Sequence, residues 1–188
     1  LMKNISINSV SFDEKNFLRN IQIFIVCLIP AGLISGPFLP DLFVVIIGLI
    51  NIYISIKYYR LSDFKNPILI LFLFWCLYIF IRSLLANNII LSLESSLFFF
   101  RFGIFALAVF QIITEYKNKF IKFFSISLIL TLTILVFDAL FQYLISYNLL
   151  LFEYEIDRFA RLKGLFKDES ILGSYLVRFL PVLFAVFF

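Results

Sequence analysis

The sequence predicts an all-α fold, a polytopic transmembrane helix bundle of about six spans, and three observations lead there. Hydrophobic residues make up 63% of the 188 residues and charged residues only 15%, against roughly 45–50% and about 25% in ordinary globular domains. Phenylalanine alone occurs 27 times and the mean hydropathy is +1.05. A 22.1 kDa globule in water exposes too much of its surface to hide that many apolar side chains, so the solvent for most of the chain is lipid. The apolar residues also gather in runs close to the ~20 residues a spanning helix needs. Finally, the segments between the runs alternate between carrying Lys or Arg and carrying none.

Residues 1–20 are polar, with Lys3, Asp13, Glu14, Lys15 and Arg19. They read as a cytoplasmic N-terminal segment ahead of an uncleaved first span, since no small-residue cleavage site follows and further spans do. Span one covers about 21–35, with Pro30 expected to kink it, and Gly36-Pro37-Phe38-Leu39-Pro40 makes a tight turn. Span two covers about 38–56, span three about 67–84, span four about 95–113 and span five about 123–144. Span six begins near 170 and is still apolar at Phe188, so the bundle (21–188) is expected to be incomplete at its C-terminal end.

Loop charge sets the expected orientation. Lys3, Lys15 and Arg19 precede span one, Lys57, Arg60 and Lys65 follow span two, and Lys117, Lys119 and Lys122 follow span four. The 36–40 turn and the 85–94 loop carry no Lys or Arg. Positive loops face the cytoplasm, which puts the N-terminus inside and the 145–169 loop outside. Tyr53, Tyr58, Tyr59 and Tyr116 then fall at inner ends, and Tyr143 and Tyr147 at an outer end, as interfacial aromatics do.

Composition also excludes chemistries. With no His, no Ser–His–Asp triad, Cys–His dyad or His-ligated zinc lies within these residues. Cys27 and Cys76 sit in apolar runs, where a thiol behaves as a small hydrophobe. The net charge of +4 forms no basic patch apart from the membrane flanks, so nucleic acid is not an expected partner.

The informative residues are charges that lipid does not tolerate. Arg82, Arg101, Asp138 and Arg178 lie inside the expected spans and Glu169 at the start of the sixth. A charge at the bilayer centre costs ~2.5–3.5 kcal/mol on insertion scales, so each needs a partner or a wet cavity. On the expected topology all fall in the outer half, and the inner half is nearly charge-free. Arg82 can snorkel to the interface. Arg101 can pair with Asp138, which has Gln142 one turn on and on the same face. Arg178 is too deep to snorkel easily, and Pro181 opens the backbone near it. The span cations are all Arg, whose planar fork suits phosphate. Arg158, Arg161, Lys163 and Lys167 precede the sixth span, partly cancelled by Glu153, Glu155 and Asp157. Gly173 in the first turn leaves room for a ligand near the helix N-terminus. Together these features predict a cavity open to the outside and suited to a phosphate-bearing lipid.

The segment Arg161-Leu-Lys-Gly164-Leu-Phe166-Lys-Asp-Glu169-Ser-Ile-Leu-Gly173-Ser-Tyr-Leu-Val-Arg178-Phe-Leu-Pro181 resembles the O-antigen ligase and O-antigen polymerase family. In that family an extracytoplasmic Arg-x-x-Gly-x-Phe element leads into a span with an early Leu-Gly pair. Asp138-Ala-Leu-Phe-Gln142-Tyr-Leu, followed by Tyr147-Asn148, resembles the span before that element. The resemblance implies a polytopic glycosyltransferase that takes a glycan from an undecaprenyl-diphosphate carrier and passes it to lipid A-core or to another carrier-linked glycan. It implies no metal or other cofactor. Arg161 takes a diphosphate-binding role, Arg178, Gly173 and Arg101 are the further candidates for the same lipid diphosphate, and Asp138, Gln142, Glu169 and Arg82 form a supporting charge network. The family's His in a large later loop has no counterpart here, so no catalytic residue is assigned. Lys167-Asp168-Glu169-Ser170 also departs from the stretch many ligases carry, which leaves ligase and polymerase as alternatives. From another class, a transporter or lipid flippase also uses buried charge. It should carry charge in both membrane halves, and the apparent one-sidedness favours the transferase.

Overall fold

The computed structural model describes residues 2–58, 65–145, 164–166 and 171–187, with side chains over 13–58, 65–145, 165–166 and 171–185. Among the described residues the regular structure is entirely helical. The order is α1 (Met2–Gly32), a 3-10 turn (Leu33–Ser35), α2 (Phe38–Lys57), α3 (Pro67–Leu84), α4 (Ile89–Leu97), α5 (Phe100–Ile145), a 3-10 turn (Gly164–Phe166) and α6 (Leu172–Phe187). Four stretches are long and apolar enough to cross a membrane: Asp13–Ser35, Phe38–Lys57, Pro67–Leu84 and Ile89–Ile145. The apolar stretch Leu172–Ala185 is shorter. Bulky apolar side chains on these helices stay exposed, among them Ile68, Leu71 and Phe74 on α3. Such a surface is costly in water and favourable in hydrocarbon, so the chain is a membrane-embedded helical protein.

Local chemistry sets several boundaries. Asn66 caps α3 by accepting a hydrogen bond from the Ile68 N–H at 3.0 Å, with Pro67 at the first helical position, where its missing donor costs nothing. Gly36 ends the first 3-10 turn at φ 112°, a backbone region that side chains avoid, and α2 starts two residues later.

Three departures from the sequence reading are informative. First, α1 begins at Met2 rather than near 21. No Gly or Pro interrupts 2–20, and from Glu14 onward its polar side chains find partners on other helices. Second, the expected loop over 85–94 is helical from Ile89, and α4 packs on α3. Third, the expected loop over 114–122 lies within the 46 residues of α5, where one residue, Tyr116 (φ −132°, ψ 32°), leaves the helical region.

The chain divides into two compact units, Leu1–Val26 with Asp41–Lys117, and Cys27–Pro40 with Asn118–Phe188. In the first, Ile23, Val26, Val44, Ile47, Ile54, Leu107, Ala108 and Ile112 form the buried apolar set. Glycine permits two close approaches there. A Cβ on Gly48 would lie 3.4 Å from Ile104, and one on Gly103 only 2.5 Å from the Phe72 ring. In the second unit, Leu135, Phe166, Leu172 and Tyr175 make a core with Leu132, Leu176 and Phe179 around it. The Tyr175 hydroxyl donates to the Pro30 carbonyl at 2.5 Å, meeting one of the last-turn carbonyls of α1.

Candidate functional site

The densest polar arrangement lies in the first unit, between the middle of α1, the second half of α2 and the first part of α5. Arg19 is fully buried. Its Nη1 donates to Gln22 Oε1 and Asn51 Oδ1, each at 2.9 Å, and its Nη2 donates to Gln111 Oε1 at 2.8 Å. Its Nε lies 3.4 Å from Glu115 Oε2, and Lys15 Nζ lies 3.4 Å from the other oxygen of the same carboxylate. Gln22 then donates to the Ile47 carbonyl at 3.0 Å. Helical spacing delivers these groups: Arg19 and Gln22 share a face of α1, Gln111 and Glu115 share a face of α5, and Asn51 reaches Arg19 from α2. One turn away, Lys57 Nζ bonds both oxygens of Glu14 at 2.5 and 2.6 Å, the Tyr53 hydroxyl donates to Glu14 at 3.1 Å, and Tyr116 donates to Asn16 at 2.5 Å.

A guanidinium with five donors in a rigid plane is the side chain suited to this ring of acceptors. Because both Nη atoms donate to protein oxygens and Nε faces the Glu115 carboxylate, Arg19 closes the packing of α1, α2 and α5 and does not present an open phosphate fork. None of these residues was a candidate in the sequence. Arg19 and Glu115 read as cytoplasmic flank, and Gln22, Asn51 and Gln111 are uncharged. The available signal was the three amides placed inside otherwise apolar runs. The first unit thus buries Arg19 beside Lys15 and Glu115, a charge that the sequence reading places in the N-terminal flank.

The second unit holds part of the expected site. Asp138 and Gln142 are both buried, one turn apart on α5, on the stripe that includes Leu135. Phe166, the last residue of the Arg-x-x-Gly-x-Phe element, is buried against Leu135, Leu172 and Tyr175, with its ring 5.3 Å from that of Tyr175. Phe166 is thus packed beside the Asp138 face of α5.

The other candidates fall elsewhere. Arg101 pairs with Asp41 at 2.7 Å rather than with Asp138, and its guanidinium lies 5.0 Å from the Phe102 ring centre. Its partner comes from the first turn of α2, an acid the sequence reading passed over. Arg178 is exposed, which corrects the expectation that it turns into the bundle. The reason is register. α6 packs through Leu172, Tyr175, Leu176 and Phe179, an i, i+3, i+4, i+7 stripe, and residue 178 falls off it. Arg82 is exposed in the last turn of α3, as a snorkelling side chain would be. Gly173 is exposed, and a Cβ there would meet nothing within 4 Å. Arg161 and Glu169 lie outside the described residues. Among the described residues no cluster of His, Cys, Asp and Glu is arranged to hold a metal ion.

No protein-family model matches the chain, and neither the curated proteins nor the solved structures yield a match.

Proposed function

We propose that this chain supplies six membrane passes of a glycosyltransferase that handles a polyprenyl-diphosphate-linked glycan at the outer face of a bacterial inner membrane. The observation that carries the reading is the docking of Phe166 on Leu135, Leu172 and Tyr175. It sets Phe166, the last residue of the element through which the chain resembles the O-antigen ligase and polymerase family, on the helix face bearing Asp138 and Gln142. Arg161 precedes Phe166 by five residues, and an arginine fork of that element is the group suited to a diphosphate. The donor is an undecaprenyl-diphosphate-linked glycan, and the acceptor is lipid A-core in the ligase form or a second carrier-linked glycan in the polymerase form.

Six passes follow from length and charge. At 1.5 Å per residue the 46 residues of α5 extend about 69 Å, more than twice the ~30 Å hydrocarbon core. Tyr116 leaves the helical region beside Lys117, Lys119 and Lys122, and that run of lysines supports reading a cytoplasmic turn there. Two passes on α5, three on α1 to α3 and one on α6 make six, with the N-terminus inside.

The test is surface-glycan transfer in cells lacking the native protein. Arg161→Ala abolishes transfer, Arg161→Lys impairs it because a point charge does not replace a bidentate fork, and Lys163→Ala is mild. A wild-type glycan profile from Arg161→Ala at normal membrane level would remove the diphosphate role from this segment.

A second reading, translocation of a charged or lipid-linked solute, is favoured by the Arg19 network, since buried charge then occurs in both units and the one-sidedness that argued for the transferase is gone. Glycan-chain assembly in membrane vesicles separates the two. Transfer between carriers already on the outer face needs no movement across the membrane, whereas a translocator changes the side on which the carrier-linked glycan is found.

A further inference from the structure

We propose that the cleft between α3 and the first part of α5 holds one acyl chain of an anionic phospholipid from the surrounding bilayer. This inference does not depend on the transferase reading. The cleft encloses about 300 Å³ between Leu69 and Phe72 on α3 and Gly103, Ala106 and Phe110 on α5. Each wall is a single helix stripe, i and i+3 on α3 and i, i+3 and i+7 on α5. Gly103 makes the floor: its missing side chain lets the Phe72 ring lie where a Cβ would stand 2.5 Å away. If a methylene takes about the ~30 Å³ of a water molecule, the space fits on the order of ten methylenes, a large part of one acyl chain.

The ends of the cleft decide the occupant. Among the described residues the one polar residue in its lining is Asn66, just before α3, and its neighbour in the chain is the exposed Lys65. Apolar along its length, with a cation one residue from its polar end, the cleft complements a hydrocarbon tail that leads to an anionic headgroup. A basic residue at a membrane surface attracts anionic lipid in this way. Asn66 Oδ1 is already engaged by the Ile68 N–H, so the headgroup preference rests on Lys65.

The experiment uses the full chain purified in detergent and a phosphatidylglycerol probe with a diazirine in its acyl chain, with crosslinks mapped by mass spectrometry. Labels should fall on 66–72 and 102–110 several-fold above those on exposed faces such as that of Leu49. Ala106→Trp and Ala106→Phe, which fill the cleft from an exposed position, should each remove the excess while helix content by circular dichroism stays unchanged. Lys65→Gln should lower labelling to that of a phosphatidylcholine probe of the same chain. Even labelling of all exposed helix faces would overturn the proposal. So would equal labelling of the unsubstituted chain by the two probes, or displacement of the label by undecaprenyl phosphate but not by unlabelled phosphatidylglycerol.

Discussion

Arg19 shows how far a single side chain can set the architecture of a small apolar bundle. Its guanidinium engages Gln22, Asn51, Gln111 and Glu115, which come from three helices. Replacing it by leucine removes the guanidinium that faces the Glu115 carboxylate and strips the three amide oxygens of this donor. Breaking a buried charge pair costs about 3–5 kcal/mol, so Arg19→Leu should be the least stable variant and accumulate at a lower level. Arg19→Lys keeps the charge but offers its donors from one point, and losing buried bonds costs about 1–3 kcal/mol. Thermal unfolding in detergent should rank the wild type first, then Arg19→Lys, then Arg19→Leu. Equal stability of all three would show that the network contributes nothing to packing. Arg101 offers a contrast. Its pair with Asp41 is partly exposed, the side chains being 29% and 46% accessible, and exposed pairs contribute only about 0–1 kcal/mol. Asp41→Asn should accordingly be mild in the same assay.

At the scale of elements, helix approach is governed by two glycines with opposite tolerance. A Cβ at Gly48 would sit at ordinary van der Waals distance from Ile104, whereas one at Gly103 would overlap Phe72. Alanine is favoured over glycine in a helix interior by roughly 0.8–1.0 kcal/mol. Gly48→Ala should therefore be neutral or stabilising. Gly103→Leu should destabilise by about 1–3 kcal/mol, the usual cost of overpacking. Unfolding curves of the two variants in one detergent check both signs, and a stabilised Gly103→Leu would mean that α3 and α5 do not pack as described. The register of α6 is a second lesson at this scale. Span position alone placed Arg178 deep in a helix, but the packed stripe through Tyr175 and Phe179 turned it outward.

For the whole molecule, the testable quantity is topology. On the proposed topology of six passes with the N-terminus inside, residue 154 faces the periplasm. In a background with Cys27 and Cys76 replaced, Tyr154→Cys should react with a membrane-impermeant maleimide in cells whose inner membrane is intact, and Lys119→Cys should react only after that membrane is permeabilised. The opposite pattern would reverse the donor face. If both positions react only after permeabilisation, the chain does not turn back at Tyr116. Membrane embedding and helical content were legible because they depend on composition and run length, which a linear string records directly.

The sequence by itself determined the class of protein, the start of α2 at Phe38, the limits of α3 at Pro67 and Leu84, and the turn at Gly36, because apolar run length, Pro and Gly punctuation and side-chain capping act over a few residues. It also marked Asp138 and Gln142 as a buried polar pair, since an acid and an amide one turn apart in an apolar run have no stable place on a lipid face. Only the tertiary structure decided which charges meet. Arg19 stands 92 positions from Gln111 and Arg101 stands 60 positions from Asp41, and no local pattern encodes separations of that size. Charge depth estimated along one span says how costly an ion is, but its partner is chosen by the rotation and register of neighbouring helices, which are fixed by close contacts such as that of Gly103 with Phe72.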